Sequence, residues 1–254
     1  MTGSYASDRT VVEQRASRPR GLSPGAVRSP NIWEHTALYE LENHAFDRSC
    51  LVETAMRSTA SWDGRDLLDL GCGTGFHLPR WASSSFGTAR SVVGVEPHPG
   101  LVTLARRRCR ALASVSVRQG SATALPLPDA SVDVVQARWA YFLGPGCEPG
   151  LRELDRVVRR GGTAFVIDND ATRSTFGGWF RRGYPDIDPE AVQRFWTSRG
   201  WTRRRVLTSW QFDTRADLEA VVRIEFTRRT ADAVLSEHIG TTVDYAVDVW
   251  SKDF

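Results

Sequence analysis

Leu67-Leu68-Asp69-Leu70-Gly71-Cys72-Gly73-Thr74-Gly75-Phe76 runs from apolar residues into three glycines spaced two apart. The apolar part reads as a buried strand, and the residues after it as the start of a helix. Glycines at such a junction let the chain turn sharply, and they let a ligand reach the backbone with no Cβ in the way. The spacing distinguishes between ligands. A pyrophosphate-binding turn is written GxGxxG, with the phosphates on the helix N-terminus. Here Phe76 stands where the last glycine of that fingerprint belongs, and the acid Asp69 precedes the first glycine. A ligand with a cationic amino-acid end is better served than a pyrophosphate.

Outward from this turn, strands and helices alternate. Strands are expected at 65–71, 89–97, 113–120, 131–139 and 162–169, with helices at 99–113 and 148–160 between them. Such alternation implies βαβ units and a parallel sheet covered on both faces. Residues 171–188 read as irregular, followed by a helix at 189–199. Two last strands, 201–212 and 241–252, make an antiparallel edge hairpin. The expected fold is α/β, a Rossmann-like, doubly wound, mostly parallel seven-stranded sheet. Upstream, Trp33, Leu38, Leu41, Ala45, Phe46, Leu51 and Met56 fall at helical spacing, with Asn31 as a cap.

Composition fits a globular protein: 254 residues, 41% hydrophobic and 25% charged. The net charge of +3 resides in residues 1–30, where five arginines outnumber Asp8 and Glu13. Residues 31–254 are neutral overall, which argues against a nucleic-acid partner. Residues 1–30 are expected to be a disordered tail and 31–254 a single domain. With no signal-like apolar run and no membrane span in the sequence, a cytoplasmic protein is expected. Cys50, Cys72, Cys109 and Cys147 are scattered, which speaks against a zinc or disulfide framework.

Five pieces occur in order: 69–75, then 92–97 ending Glu96-Pro97, 120–135, 151–162, and the N-terminal helix with Trp33, Tyr39, Glu40 and Asn43. Together they make the chain resemble class I S-adenosylmethionine-dependent methyltransferases, of the group that includes ubiquinone and small-molecule methyltransferases. The resemblance covers about residues 31–254. It implies S-adenosyl-L-methionine as cofactor and S-adenosyl-L-homocysteine as product. It implies that Gly71, Cys72, Gly73 and Gly75 border the methionine part, with Asp69 near its amino group. Glu96, beside Pro97, would accept from both ribose hydroxyls. Ser121 and Ala122 stand where the family usually offers an Asp to adenine. Gln136, Ala137, Arg138 and Trp139, at the end of the fourth strand, would line the cofactor and face the acceptor, and Tyr39 would cover it.

Three residues are candidates for a general base: Asp168 at the end of the fifth strand, Tyr141 after the fourth, and His44 in the N-terminal helix. His77 and His98 rank lower. Asp168-Asn169 resembles the pair of metal-dependent catechol-type enzymes, but a further Asp is needed at the end of the fourth strand. That stretch reads Gln136-Ala137-Arg138, so no metal is expected. Phe176, Trp179, Phe180 and Tyr184 can form an acceptor pocket or simply core, and Arg181 and Arg182 can meet an anion or water. The leading expectation is a metal-independent methyl transfer to O, N or C of a small molecule by a monomer or homodimer. An RNA or protein methyltransferase, and a cofactor-binding protein without turnover, remain alternatives.

Overall fold

The computed structural model describes residues 21–83, 85–141 and 144–254. Seven strands form one sheet: β1 (Asp66–Leu70), β2 (Ser91–Glu96), β3 (Val115–Gln119), β4 (Val132–Arg138), β5 (Val158–Asn169), β6 (Thr202–Gln211) and β7 (Thr242–Asp253). Their order across the sheet is β3-β2-β1-β4-β5-β7-β6. The strands from β3 to β5 are parallel, and β7 runs antiparallel between β5 and β6. The expected α/β sheet with its antiparallel C-terminal edge is what the chain forms. Leu67, Leu68, Val134, Val135, Phe165 and Val166 are buried side by side because helices cover both faces.

On one face lie α4 (Leu78–Ala82), α5 (Pro99–Arg108), α7 (Ser174–Gly183), α9 (Arg215–Glu225) and α10 (Arg228–Glu237). On the other lie α6 (Glu148–Val157) and α8 (Pro189–Thr197). Successive connections run outward from β1 to β2 and β3, then reverse to β4 and β5. The reversal opens a crevice beyond the carboxyl ends of β1 and β4, the usual ligand position in such sheets.

Two expectations about helices need correction. Residues 31–56 form three helices, not one: α1 (Pro30–Glu34), α2 (Thr36–Ala45) and α3 (Leu51–Arg57). Asn31 lies inside α1. The break between α2 and α3 is made by Asp47, whose backbone N–H donates to Ser209 O at 3.0 Å. Its carboxylate accepts from Leu51 N at 3.0 Å, Val52 N at 2.9 Å and Thr208 Oγ1 at 2.7 Å. Tertiary bonds here outweigh helical continuity. Residues 174–183, read as irregular, form α7 despite Gly177 and Gly178. Phe176 and Phe180 one turn apart bury against the sheet, and Gly177 permits close approach to Asp170, whose carbonyl would lie 2.8 Å from a Cβ there.

Of the stretch 1–30, residues 1–20 lie outside the described residues. Residues 21–29 are not a free tail. Ser23 N donates to Pro97 O at 3.2 Å, and Gln119 Nε2 to Gly21 O at 2.5 Å. No helix among the described residues is long and apolar enough to cross a membrane.

Candidate functional site

Gly73 and Gly75 both have positive φ, +56° and +77°. Gly75 packs on α5, where a Cβ would sit 3.1 Å from Ala105 Cα. Gly73 faces the other way, toward the roof made by α1, and a Cβ there would meet Ile32 Cδ1 at 2.7 Å. Its N–H donates to Glu96 Oε2 at 3.0 Å, and His98 N donates to Glu96 Oε1 at 2.9 Å. One carboxylate at the end of β2 is thus held by two backbone amides, each oxygen keeping further acceptor capacity. Burial pushes the Glu96 carboxyl up to about 7 despite those two bonds.

Asp69 lies one strand over. In parallel pairing Asp69 is level with Gln136, and Gln136 with Phe165. Paired residues share a face, so Asp69, Glu96, Gln136 and Arg138 all lie on the side that carries α4 and α5. Gln136 Nε2 donates to Asp69 Oδ1 at 2.8 Å, and Trp81 Nε1 to Asp69 Oδ2 at 3.3 Å. Arg138 Nε donates to Gln136 Oε1 at 2.8 Å, which fixes which way the amide points. The other end of Arg138 pairs with Glu53 Oε1 at 3.0 Å, and Arg80 reaches the same oxygen at 3.2 Å. A chain of buried polar groups therefore runs from α3 to Asp69. Burial raises the Asp69 carboxyl to about 6.

The remaining candidates are placed as follows. Tyr39, in α2, lies within electrostatic reach of Glu96, and burial raises its hydroxyl well above the ordinary tyrosine range. Cys72 is buried against Gly94. Pro97 presents its carbonyl to Ser23. Ser121 donates to Pro24 O at 2.7 Å, so residues 21–25 lie along the end of the crevice where adenine was expected. Ala122 packs near Gly150, and Ala137 is buried on the far face of the sheet. Thr74 Oγ1 bonds Glu40, which also pairs with Arg108 at 2.5 Å. His98 caps α5 through Leu101 N and packs its ring on Trp33. His77 packs its ring on Phe76, and burial holds it well below the ordinary histidine range.

The three general-base candidates are not brought together. Asp168 is level with Asp248 of β7 and lies on the α6 and α8 face, across the sheet from Asp69 and Glu96. Tyr141 is core on that same face, its hydroxyl donating to Gly150 O at 3.4 Å. His44 is exposed with its ring edge-to-face on Phe76, 4.8 Å between centroids. Phe176, Trp179 and Phe180 are core, Tyr184 donates to Glu225 O at 2.7 Å, and Arg182 pairs with Glu237.

Sequence reasoning missed one feature. Arg138 was expected among the residues lining the crevice and weighed as a cation where a metal ligand would be needed, but its partner was not foreseen: a buried strand-end arginine must find an acid, and Glu53 in an apolar helix is that acid. Trp139, expected to face the acceptor, sits at φ +47° directly after β4. Such a conformation is uncommon for a bulky residue and tends to occur at sites.

Residues 68–166 match a family described as methyltransferase domain. The chain is 30% identical over 135 residues to the 2-phytyl-1,4-naphtoquinone methyltransferase of Synechococcus elongatus, covering 52% of this chain and 58% of that protein. It is 32% identical over 103 residues to the malonyl-[acyl-carrier protein] O-methyltransferase of Serratia marcescens, covering 41% and 38%. The chain thus spans less than two thirds of these curated relatives. Among solved structures, an S-adenosylmethionine-dependent methyltransferase from Aquifex aeolicus superposes with a TM-score of 0.53 at 19% identity, covering 85% of this chain and 96% of that one. At that identity the likeness concerns the fold.

Proposed function

We propose that this chain is a class I, S-adenosylmethionine-dependent methyltransferase that moves the cofactor's methyl group to a small-molecule acceptor without a metal, a reading supported by the match of residues 68–166 to a methyltransferase domain. The supporting observation is Glu96, a buried carboxylate fixed by Gly73 N–H and His98 N–H, beside a second buried acid, Asp69, in the switch-point crevice. The donor set fits the cofactor. Glu96 has acceptor capacity for two sugar hydroxyls, the Gly73 turn lets a ligand lie against the backbone, and Asp69 offers charge to an ammonium group.

Bound there, the cofactor supplies a methyl already activated by positive sulfur. The chain's task is then to orient. Ile32 lies over the Gly73 turn, and Trp33 packs its ring on His98, two residues beyond Glu96. The bond from Gln136, itself held by Arg138, keeps one Asp69 oxygen turned from solvent. Holding an acceptor in line at contact distance contributes up to about 7–11 kcal/mol in well-oriented cases. The neutral charge of residues 31–254 supports a small-molecule acceptor over a nucleic acid.

Transfer of labelled methyl from S-adenosylmethionine to small acceptors tests the activity. The cofactor site has its own test. Glu96 accepts best when ionised, and its carboxyl titrates near about 7 in the ligand-free protein. Affinity for S-adenosylhomocysteine is therefore expected to fall about tenfold from about pH 8 to about pH 6. Asp69, titrating near about 6, steepens the fall below that. Glu96→Gln should weaken binding at about pH 8 and flatten the upper part of the profile. Calorimetry showing wild-type affinity that rises on acidification would refute this role for Glu96.

A further inference from the structure

Along α2 and its C-cap, three side chains share one helical face. Tyr39, Glu42 and Phe46 are spaced three and four apart. Tyr39 lies within electrostatic reach of both Glu96 and Glu42, so this face leads from the cofactor crevice to Phe46. There the rings of Trp139 and Tyr245 stand edge-to-face to Phe46, each with centroids 5.2 Å away. Asn169 Oδ1 accepts from Trp139 Nε1 at 2.8 Å and from Tyr245 Oη at 2.7 Å, which fixes both rings. Phe46 is fixed by its bridge to Trp210 and by the Asp47 anchor. The residues that present this group end β4, β5 and α2, so it borders the crevice at the topological switch point.

Glu42 is the odd member of the group. Its Oε2 is sealed from solvent and has no hydrogen-bond partner. It makes no ion pair among the described residues. Arg138, at the end of β4, spends its donors on Gln136 and Glu53. A second carboxylate, Glu225 of α9, lies close enough to push the Glu42 carboxyl up further, beyond the effect of burial, and accepts from Asn31 Nδ2. A buried carboxylate oxygen left unbonded is costly, and native proteins rarely keep one without a use.

We propose that the acceptor is an amine carrying an apolar body, its ammonium held by Glu42 and its body set among Phe46, Trp139 and Tyr245. The inference rests on the methyltransferase reading of the same crevice. A cation gains from both parts of the group, charge attraction to the carboxylate and the negative faces of the aromatic rings. A phenolate or carboxylate would face like charge from Glu42 and Glu225. In the reaction the ammonium first gives one proton to the Glu42 carboxylate. The freed nitrogen lone pair forms the new N–C bond as the C–S bond breaks, its electron pair staying on sulfur. The methylated ammonium and S-adenosylhomocysteine leave, and Glu42 returns its proton to water.

The test is calorimetry on protein saturated with S-adenosylhomocysteine, titrated with 2-phenylethylamine, 2-phenylethanol and phenylacetate. The amine is expected to bind at least tenfold tighter than the alcohol and tighter still than the acid. Glu42→Gln should bring the amine to the level of the alcohol while S-adenosylhomocysteine affinity stays within about twofold. Phe46→Leu should weaken the amine more than the alcohol. If the alcohol or the acid binds wild-type protein as well as the amine does, the amine assignment is overturned, whatever the variants do. If Glu42→Gln keeps the tenfold preference, the assignment to Glu42 is overturned. Failure of the wild-type protein to take up S-adenosylhomocysteine at all overturns the methyltransferase reading, and this inference with it.

Discussion

Gly73→Val is expected to remove measurable binding of S-adenosylhomocysteine, a loss of at least a hundredfold, while the protein stays folded. Two effects combine. Gly73 sits at φ +56°, where a β-branched residue is strained by about 1–3 kcal/mol. Any relief of that strain moves the N–H that holds Glu96 Oε2. The new side chain also projects into the ligand's side of the turn, under Ile32. Ile32 Cδ1 is the far end of a flexible side chain on a five-residue helix, so it can yield and the fold survives. Gly75→Val makes the contrast. Its Cβ would press on Ala105 Cα and Cβ and Leu78 Cδ1, all at 3.1 Å, and the α5 backbone cannot yield as a methyl tip can. Strain plus overpacking there should cost about 2–5 kcal/mol of stability. Asp168→Ala, on the far face of the sheet, should spare cofactor affinity. Calorimetry and denaturant melts read the three variants, and normal affinity in Gly73→Val would place the ligand elsewhere.

The distinction between those glycines marks what the sequence could convey. The turn, its neighbouring strands and Glu96 were legible because each is local: a run of apolar residues, a gap with no Cβ, an acid at a strand end. The parallel body of the sheet followed from the alternation of strands and helices, and its antiparallel edge from the two last strands. What was not legible depends on partners far apart in the chain. Glu53 and Arg138 are 85 residues apart, and nothing near either one states that both are buried. Asp168 was favoured as a base because it ends a strand, but side chains alternate across a sheet. The register Arg138–Ile167 and Asp168–Asp248 puts it on the wrong face, which a one-residue change in register would have reversed. Residues 174–183 were misread for a related reason. Two glycines lower helix propensity locally, and the compensation comes from Phe176, Trp179 and Phe180 burying against strands at the chain's far end.

The buried network behind Asp69 yields the largest expected effect on stability. Arg138→Met preserves much of the side chain's volume but removes the charge that faces Glu53. Glu53 is 2% exposed and Arg138 8%. Burial pushes the Glu53 carboxyl up, and Arg138 with Arg80 outweighs it, holding the group below the ordinary range. With Arg138 gone, Arg80 remains, but its side chain is 41% exposed and screened by water. Breaking one side of such a pair typically costs about 3–5 kcal/mol, because the remaining charge stays buried. Glu53→Gln in the Arg138→Met background should recover part of that loss, and the double-mutant cycle should give about 0.5–3 kcal/mol of coupling. Cofactor affinity should fall in Arg138→Met as well, since the Gln136 amide that orients Asp69 loses its own anchor. The pH dependence separates this account from a simple packing defect. In the wild type the depressed Glu53 carboxyl contributes stability that is present above the ordinary carboxylate range and lost as pH falls through its folded value. In Arg138→Met the same carboxyl is raised by burial, so protonation relieves it. The gap between the two proteins should therefore narrow on acidification from about pH 8 to about pH 5. A gap that stays constant across that range would mean that lost packing, and not an uncompensated charge, is what the substitution exposes.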